Sequence, residues 1–582
     1  MSSVAPANRP WPTLARSVAA VLFALAPLLV SAQSNAVDSV GTVAFPEPTF
    51  QHITIDWPIT GDANNNSIVS VRFRAVGASN WRQGMPLRRV PAGSTSGFSW
   101  ANRHSGSLFG LQPATSYQVE LQLTDPDGGS FNRQHTVSTR SPMQSFASGT
   151  VRQATPSTLS SVLNAAQPGD TVVLGAGNYA GFNLNRDGTA ERPLTLRAAA
   201  AASINGELGL FYRRHVILQD LLVNGRIRLN GSSDVAVRNS TVNASATEFN
   251  GDTIVCFLRC ERLHIADNTL NGTTQWNEAA LGVNGNNRGE GVVVTGPGHV
   301  VERNTVTGFR DGISFLEGSE AVDQYSIDVL ENFIDISGDD AIEADFCAHN
   351  CRIIGNRAVN SFIAFSSQPS LGGPTYFIRN VAFNVIHVAF KLYRTSYGDV
   401  LLHNTVIKNG DAFAAYPGVP IHRLYARNNL FLGGPGGSWG GYSSGSGRVI
   451  DLATLVTSGS SSNYNGYGSE NGFTGRYGST QFSGLAQLRS STTELQSQQI
   501  SRATVFAASV PYPSNPMTRY SLPDLRLAAG TSAIGSAEPI PNINDGYAGT
   551  GPDLGAFELA EATPPPPPPP PPGRIFGDGF GG

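Results

Sequence analysis

Short stretches of alternating apolar and polar residues fill positions 40–142 of the chain. They read "HITIDW", "SVRFRAV", "YQVELQLTD" and "RQHTVSTR", and turn-rich links such as "TGDANNN" and "DPDGG" separate them. Alternation with a period of two is typical of strands that bury one face. Several such strands between polar turns predict an all-β sandwich over residues 40–142.

The pattern changes near residue 150 to short Val/Ile/Leu runs that each end in an asparagine, as in "LHIADNTL" and "CRIIGNRAV". The asparagines stand at positions 239, 268, 304, 332, 356, 380, 404 and 428, so the last four intervals are 24 residues each. Self-similarity at this period predicts a solenoid. Leucine-rich repeats share the period, but they need regular leucines and a helical segment, which are missing here. We therefore predict a right-handed parallel β-helix over residues 150–560, with stacked asparagines and an aliphatic core.

The start of the predicted solenoid and one long insertion have patterns of their own. Leu159, Val162, Leu163 and Ala166 have helical spacing, which predicts an amphipathic helix. Such a helix would cap the first rung, whose open strand edge otherwise invites aggregation. The insertion "TTQWNEAALGVNGNNRGEG" at 273–291 is long enough to overhang a groove.

Both termini indicate export. Arg9 and Arg16 precede the apolar run Val18–Val30 and a small-residue cleavage site, so residues 1–32 are predicted to be a signal peptide. At the other end, residues 561–582 contain the uninterrupted proline run Pro564–Pro572, a stiff spacer before a short tag. We expect a secreted or cell-surface protein with no membrane span in the mature chain.

The chain has four cysteines, in two pairs of identical spacing: Cys256 with Cys260, and Cys347 with Cys351. In an exported protein, disulfides are favoured over the alternative, a zinc site built from both pairs. The spacing leaves the disulfide pairing open.

Charge adds little to this picture. Only 14% of the residues are charged, and the formal net charge is −4. No basic run suggests a nucleic-acid partner. We expect a monomer whose partner is an extracellular polysaccharide.

Three segments resemble known families. "LQPATSYQVELQL" at 111–123 has the pattern of a tyrosine corner, and the first domain resembles a fibronectin type III domain. "TPSTLSSVLNAAQPGDTVVLGAGNY" with "GTAERPLTLRA" resembles the start of secreted β-helix polysaccharide lyases of the chondroitinase B and alginate lyase kind. "LRLAAGTSAIGSAEPIPNINDGYAGTGPDLGAFE" resembles the end of many bacterial surface β-helix proteins. These resemblances imply a secreted bacterial β-helix protein of the polysaccharide-lyase type.

Alignment of successive turns predicts which side chains stack. "DGIS", "DAIE", "IAFS", "VAFK" and "DAFA" align as the second strand of five turns. The inward column is Ile313, Ile342, Phe365, Phe390 and Phe413, and the outward column is Ser314, Glu343, Ser366, Lys391 and Ala414. Neighbouring rungs lie about 4.8 Å apart, which would place Glu343 and Lys391 roughly 10 Å apart on one outer face.

This face predicts a site for cleaving an acidic glycan by β-elimination. Asp340, Glu343 and Asp345 would hold Ca²⁺, which neutralises the sugar carboxylate, as Arg394 could also do. Lys391 would be the base, provided that burial or cationic neighbours lower its pKa, and Tyr393 or His403 would protonate the leaving oxygen. Ser366, Gln368 and Asp339 would bind the substrate.

Two other functions stay open. "SGDDAIEADF" at 337–346 partly resembles the Gly-Asp-Asp segment of polygalacturonases, which suggests hydrolysis by two carboxyl groups, although the other motifs of that family are missing. The chain could instead be a non-catalytic adhesin that uses its first domain and proline stalk as spacers. In the plainest interpretation, Asp339 and Asp340 only cap a turn and Lys391 is a solvated surface lysine.

Overall fold

The computed structural model describes residues 34–199 and 201–559. The predicted signal peptide and the proline spacer lie outside the described residues. The described chain is nearly all β. Its helical segments are short: Leu159–Ala165, Phe249–Gly251, Glu278–Ala280, Gly318–Glu320, Leu485–Ser491 and Arg502–Val505.

The first domain is built from antiparallel strands. Seven of them, within the described residues, are Val37–Val40, Ile53–Gly61, Ile68–Ala75, Arg82–Val90, Arg103–Leu108, Ser116–Thr124 and Ser130–Ser138. They pair in the spatial order first, second, fifth, fourth, third, sixth, seventh. Trp57 and Phe73 are fully buried in the core. The Tyr117 hydroxyl accepts a hydrogen bond from the Gln112 N–H at 2.8 Å, as expected for a tyrosine corner. Membership of the fibronectin type III family stays a prediction.

The rest of the chain winds into a parallel β-helix, so the predicted all-β fold class is confirmed. One parallel sheet contains, in spatial order, the strands Val151–Ala154, Thr171–Leu174, Leu194–Ala198, Arg214–Gln219, Ser233–Arg238, His264–Ala266, Val300–Glu302, Asp328–Leu330, Cys351–Ile354, Leu371–Ile378, Tyr397–Leu402, Tyr425–Arg427 and Ser461–Asn463.

The second parallel sheet carries the outer face that matters for function. Its strands are Gly177–Asn183, Ala202–Gly209, Leu222–Arg228, Thr241–Asn243, Ile254–Val255, Thr269–Asn271, Glu290–Val294, Thr305–Phe309, Asp311–Phe315, Phe333–Glu343, Arg357–Ser367, Val381–Val385, Phe390–Leu392, Thr405–Ile407, Leu430–Gly433, Gly466–Ser469 and Gln498–Gln499.

Smaller sheets complete the β structure. Phe413–Ala414, Ile450–Leu452, Gly475–Tyr477 and Thr480–Phe482 form one of them, and Ser438–Trp439 pairs with Tyr442–Ser443. In the first domain, Gly93–Thr95 pairs with Phe98–Trp100 as a short hairpin.

Stacked asparagines run through the β-helix, as predicted, but the predicted ladder was wrong at both ends. The amide ladder joins Asn268, Asn304, Asn332, Asn356, Asn380, Asn404, Asn429 and Asn465 through side-chain bonds of 2.8–3.1 Å. Asn239 and Asn428 instead occupy the preceding position of their turns, where φ is positive (49° and 64°). Asparagine tolerates this left-handed conformation, so the residue type alone does not distinguish the two positions.

The N-terminal cap and the cysteines behave as expected. The helix Leu159–Ala165 packs beside the first two strands of the β-helix and buries Leu159 and Leu163. Cys256 is bonded to Cys260 and Cys347 to Cys351, so the disulfide prediction is confirmed, and each bridge closes within its own pair. In the described part of the chain, no helix is both long and apolar enough to cross a membrane.

The first domain packs directly against the side of the β-helix. Asp328, a β-helix residue, is fully buried between the Arg352 guanidinium and His52 of the sandwich, whose Nδ1 lies 2.8 Å from its carboxylate. Arg352 also donates to Thr54 and Ser107 of the sandwich at 3.0 and 3.1 Å. Burial alone would raise the pKa of Asp328, but Arg352 and His52 outweigh it and lower that pKa. This part of the interface is therefore buried and charge-paired, and an apolar part adjoins it, where Phe109 of the sandwich packs against Tyr376 of the β-helix.

Candidate active site

The predicted columns are present in the second sheet. Ser314, Glu343, Ser366 and Lys391 are in register on successive strands, beside Ile313, Ile342, Phe365 and Phe390. The last predicted rung departs from this register, because the strand Phe413–Ala414 pairs with Ile450–Leu452 in another sheet. The outward column is also more buried than we predicted: Glu343 is 8% exposed and Lys391 is 7% exposed.

Lys391 lies among carboxylates. Its ammonium contacts the Asp340 carboxylate, and its Nζ lies 3.7 Å from Glu343 Oε1. Burial alone would lower the pKa of Lys391, but the surrounding carboxylates outweigh it and raise that pKa. The condition that we set for Lys391 as a base, a lowered pKa, is therefore not met in this arrangement.

Two groups of carboxylates meet at Glu343. Oxygens of Asp311, Asp340 and Glu343 lie within 4.8 Å of one another, as do oxygens of Glu317, Glu343 and Asp345. Glu290 stands opposite Asp311 on the next strand, and Asp339 adjoins Asp340. We call these seven residues the acid cluster: Glu290, Asp311, Glu317, Asp339, Asp340, Glu343 and Asp345.

Sequence reasoning missed three members of this cluster. Asp311 occupies the same place in "DGIS" as Asp340 does in "DAIE", so the alignment contained a signal for it. Glu317 and Glu290 gave no such signal, because Glu317 lies in an irregular link and Glu290 ends the long insertion.

Burial and mutual repulsion favour the protonated form of several of these carboxyl groups. Burial, followed by the neighbouring carboxylates, raises the pKa of Glu343 and of Asp311 well above the ordinary value. The pKa values of Asp339, Asp345 and Glu290 rise to about 7, again mainly through burial. Groups with such shifts occur preferentially at functional sites.

Some carboxylate oxygens of the acid cluster accept hydrogen bonds, and others do not. Asp345 Oδ1 accepts from the Ser366 hydroxyl at 2.6 Å and from the Gln368 N–H at 2.9 Å. Asp311 Oδ1 accepts from the Asp340 N–H at 2.7 Å. Asp345 Oδ2 and Asp340 Oδ1 are buried and have no hydrogen-bond partner among the described residues. Buried oxygens of this kind need a proton or a cation.

These residues could bind a metal ion. Carboxylate oxygens are the ligands that Ca²⁺ prefers, and two of them lack a partner. Lys391 would compete with such an ion for these carboxylates, because its ammonium contacts Asp340 and lies near Glu343. A cation would therefore share these carboxylates with the lysine.

The other predicted site residues border this cluster, except for one. Arg394 is exposed and its Nη1 lies 2.6 Å from Glu317 Oε2, while Gln368 Nε2 donates to Glu317 Oε1 at 3.3 Å. Tyr393 is half-buried, and its ring centroid lies 4.8 Å from that of Tyr416.

His403 was predicted wrongly as a proton donor. It is fully buried, and its Nε2 is 2.8 Å from the Asn544 amide and 3.0 Å from that of Asn428. It occupies the positive-φ position before a ladder asparagine (φ 55°), so its side chain packs against the C-terminal segment.

Two walls flank the column of Glu343, Ser366 and Lys391. One is the insertion at 273–291, whose Gly282 N–H donates to Gly338 O at 2.7 Å and whose Leu281 packs in a cluster with Phe362. The insertion, which was predicted to be long enough to overhang a groove, therefore borders this column. The other wall is the sandwich hairpin Gly93–Trp100, whose Phe98 ring lies 5.5 Å from that of Phe346. The column of Glu343, Ser366 and Lys391 forms the floor between these walls. We call this floor and its two walls the acid groove.

A separate depression of about 640 Å³ lies on the outer face of the sandwich. Polar side chains such as Arg72, Gln83 and Glu120 line it, and Arg72 Nε donates to Glu120 at 2.6 Å. Because its carboxylate, Glu120, is paired with Arg72 and half-exposed, we place the chemistry in the acid groove instead.

Comparison with known proteins gives similarity at the level of structure only. No protein-family model matches the chain, and no curated protein matches it. The similar solved structures include polysaccharide-processing enzymes and a phage tailspike. The PL6 family alginate lyase AlyGC is 15% identical, with a TM-score of 0.37 over 54% of this chain and 47% of that one, so the match spans about half of the lyase.

Two further structures are similar to a comparable extent. The tailspike protein of E. coli bacteriophage HK620 is 11% identical (TM-score 0.35, 57% of this chain, 66% of that one). The catalytic domain of a GH87 α-1,3-glucanase is 10% identical (TM-score 0.28, 66% of this chain, 89% of that one). At these scores the reaction has to be argued from the acid groove itself.

Proposed function

We propose that the acid groove is the active site of a secreted polysaccharide-cleaving enzyme that hydrolyses glycosidic bonds with its carboxyl groups. The observation that carries this proposal is Glu343, which is nearly buried in the floor of the groove, has a strongly raised pKa and is one of several closely spaced carboxyl groups. Glycoside hydrolysis needs one protonated and one ionised carboxyl group on either side of the scissile bond. The two disulfides support an extracellular location.

Glu343 has the properties of the general acid. Its raised pKa favours the protonated form, which can donate a proton to the glycosidic oxygen as the bond breaks. Asp339, at the groove edge, titrates near neutral pH, and Arg310 Nη2 lies 3.7 Å from its carboxylate. Ionised Asp339 would take a proton from the attacking water. Lys391 remains charged and balances Asp340 beneath them.

A specific observation favours a second candidate, the β-elimination that we first predicted. The unpartnered oxygens of Asp340 and Asp345 can accept Ca²⁺, which when bound would neutralise a sugar carboxylate. With its carboxylate partners engaged elsewhere, Lys391 would have a lower pKa and could remove the adjacent proton, while Tyr393 would protonate the leaving oxygen as the glycosidic bond breaks. Arg394, exposed at the rim, would contact the acidic sugar.

Charge separates the two candidates. The acid cluster has seven carboxyl groups. Three cations lie next to them: Arg310, Lys391 and Arg394. Because burial raises the pKa of several of these carboxyl groups, the ionised ones do not outnumber the cations by much, and without Ca²⁺ the surface offers no excess positive charge to attract a polyuronate. Elimination should therefore need Ca²⁺ and an acidic glycan, whereas hydrolysis should not.

The experiment is incubation of the full mature chain with laminarin, dextran, polygalacturonate, alginate and chondroitin sulfate, with Ca²⁺ or with EDTA. New reducing ends without ultraviolet absorbance of an unsaturated uronide would support hydrolysis, and chelator-sensitive absorbance would support elimination. Binding without cleavage would contradict both and favour the adhesin.

The role of Glu343 as general acid is tested by the substitution Glu343→Gln. Glu470→Gln is a matched control, since Glu470 pairs with Arg502 at the surface. We expect Glu343→Gln to lower kcat by about 10²–10⁴-fold, the usual contribution of a general acid. Unchanged kcat in this folded variant would remove Glu343 from the mechanism. The control should retain full activity.

A further inference from the structure

We infer that the hairpin Gly93–Trp100 of the sandwich domain is a specificity element of the acid groove, which holds the part of the glycan that extends beyond the cleavage site. This inference rests on the proposed function. It assigns the first domain a role in substrate selection and not only in spacing.

The hairpin contacts the groove where the site strands end. The Thr95 hydroxyl donates to the Arg394 backbone carbonyl at 3.0 Å, across 299 positions of sequence. Phe98 packs against Phe346, which follows Asp345 of the acid cluster. The Arg394 guanidinium lies 5.7 Å from the centre of the same Phe346 ring. The hairpin and the acid cluster thus hold Arg394 from two sides.

The base of the hairpin is anchored by side-chain contacts, while the turn at its tip is exposed. The Trp100 ring packs 5.3 Å from that of Tyr397, and its Nε1 donates to Pro91 O at 2.8 Å. A Cβ at Gly372 would lie 2.7 Å from the Trp100 ring, so this contact requires glycine there. The tip residues are exposed. An anchored hairpin with an exposed tip presents a fixed surface to a ligand, and little conformational entropy is lost on binding.

The chemistry of this wall suits a sugar chain. Thr95 carries a hydroxyl and contacts Arg394, an exposed cation, and the next residue, Ser96, is an exposed hydroxyl at the hairpin tip, whereas Ser94 and Ser99 pair with each other on the opposite face of the hairpin. Hydroxyls and a guanidinium bind sugar hydroxyls and sugar carboxylates. A glycan on the column of Glu343, Ser366 and Lys391 would meet this wall only if it extended past the cleavage point. The preferred substrate is therefore an oligosaccharide or polymer, and Thr95 and Phe98 act as positioning residues through Arg394.

The kinetic test uses Phe98→Ala and Thr95→Val, with Trp81→Ala as a matched sandwich aromatic, because Trp81 packs under Arg72 and Arg74 instead. On whichever of laminarin, polygalacturonate or alginate is cleaved, we expect KM to rise about 3–10-fold, the effect of one lost contact, with kcat within about twofold. Trisaccharide cleavage should change less than polymer cleavage. In an Arg394→Ala background, both substitutions should have little further effect, as expected for coupled residues.

A second measurement does not depend on turnover. Amide hydrogen exchange at residues 93–100 should slow when Glu343→Gln protein is saturated with the same glycan. Protection at 276–287 and 337–346 without protection at 93–100, or unchanged KM in both hairpin variants, would overturn the role of the hairpin while leaving the active site standing. No cleavage and no protection with any of these glycans would overturn the proposed function and this inference together.

Discussion

At the residue scale, Lys391 shows how neighbours decide what a side chain can do. On an open strand it would be a solvated lysine, but here it is nearly buried and contacts Asp340. A buried ion pair contributes little net stability, yet removing one partner leaves an uncompensated charge. Lys391 is therefore first of all a counter-ion of the acid cluster.

We expect Lys391→Ala to destabilise the protein at neutral pH by about 3–5 kcal/mol, the usual cost of leaving one member of a buried pair unpaired. The loss should shrink at pH 4.5, where most of the cluster is protonated. Urea unfolding at both pH values measures it. Equal stability of variant and wild type at pH 7.5 would instead show that Lys391 is the solvated residue of the plainest interpretation.

At the scale of the repeated element, the asparagine ladder provides hydrogen-bond partners for the buried backbone groups in the turns of the β-helix. Asn356 donates to Val329 O at 2.8 Å and to Asn380 at 3.1 Å, and it accepts from Asn332. All of these groups are buried, so water cannot replace the amide. A second amide series, which includes Asn224 and Asn243, runs along the exposed face of the second sheet.

Asn356→Ala should therefore lower the free energy of unfolding by about 1–3 kcal/mol, the cost of leaving buried groups unsatisfied. Asn243→Ala is the matched control, because its bond to Asn224 is exposed and water can replace it. Denaturant unfolding compares the two. Equal losses would show that burial does not set the value of these bonds.

At the scale of the whole molecule, the acid cluster couples stability to pH. Asp345 has a pKa of about 7 in the folded chain, against an ordinary value near 3.8. The folded chain therefore holds its proton between about pH 4 and pH 7 while the unfolded chain does not, and stability falls as the pH rises through this window. Buried neutral histidines such as His104 and His299, with pKa values of about 3, act in the opposite direction.

The difference between a variant and the wild type isolates the cluster from the histidines. The free energy of unfolding of Asp345→Asn minus that of the wild type should be larger at pH 8 than at pH 4.5, by about 3 kcal/mol, since each pKa unit corresponds to about 1.4 kcal/mol. Thermal unfolding at both pH values measures this, with Glu470→Gln as a surface control. Ca²⁺ at pH 8 should raise the Tm of the wild type more than that of Asp345→Asn. A pH-independent difference would contradict the raised pKa.

The sequence alone was enough to predict the elements and the stacking of the outward column. Alternation identified the sandwich strands, and the 24-residue interval placed Ser366 between Glu343 and Lys391, as the strand register shows. Both signals are local or strictly periodic. Where periodicity was ambiguous by one residue, as at Asn239 and Asn428, the prediction failed, because adjacent corner positions accept similar residues.

Only the tertiary structure decided the chemical states and boundaries of the site. The raised pKa of Glu343 depends on burial beside Asp311 and Asp345, which lie on different turns. The wall at Thr95 reaches Arg394 from another domain. Strand periodicity determines which side chains share a face, whereas burial and long-range contacts set their charges and surroundings, and no local pattern records those.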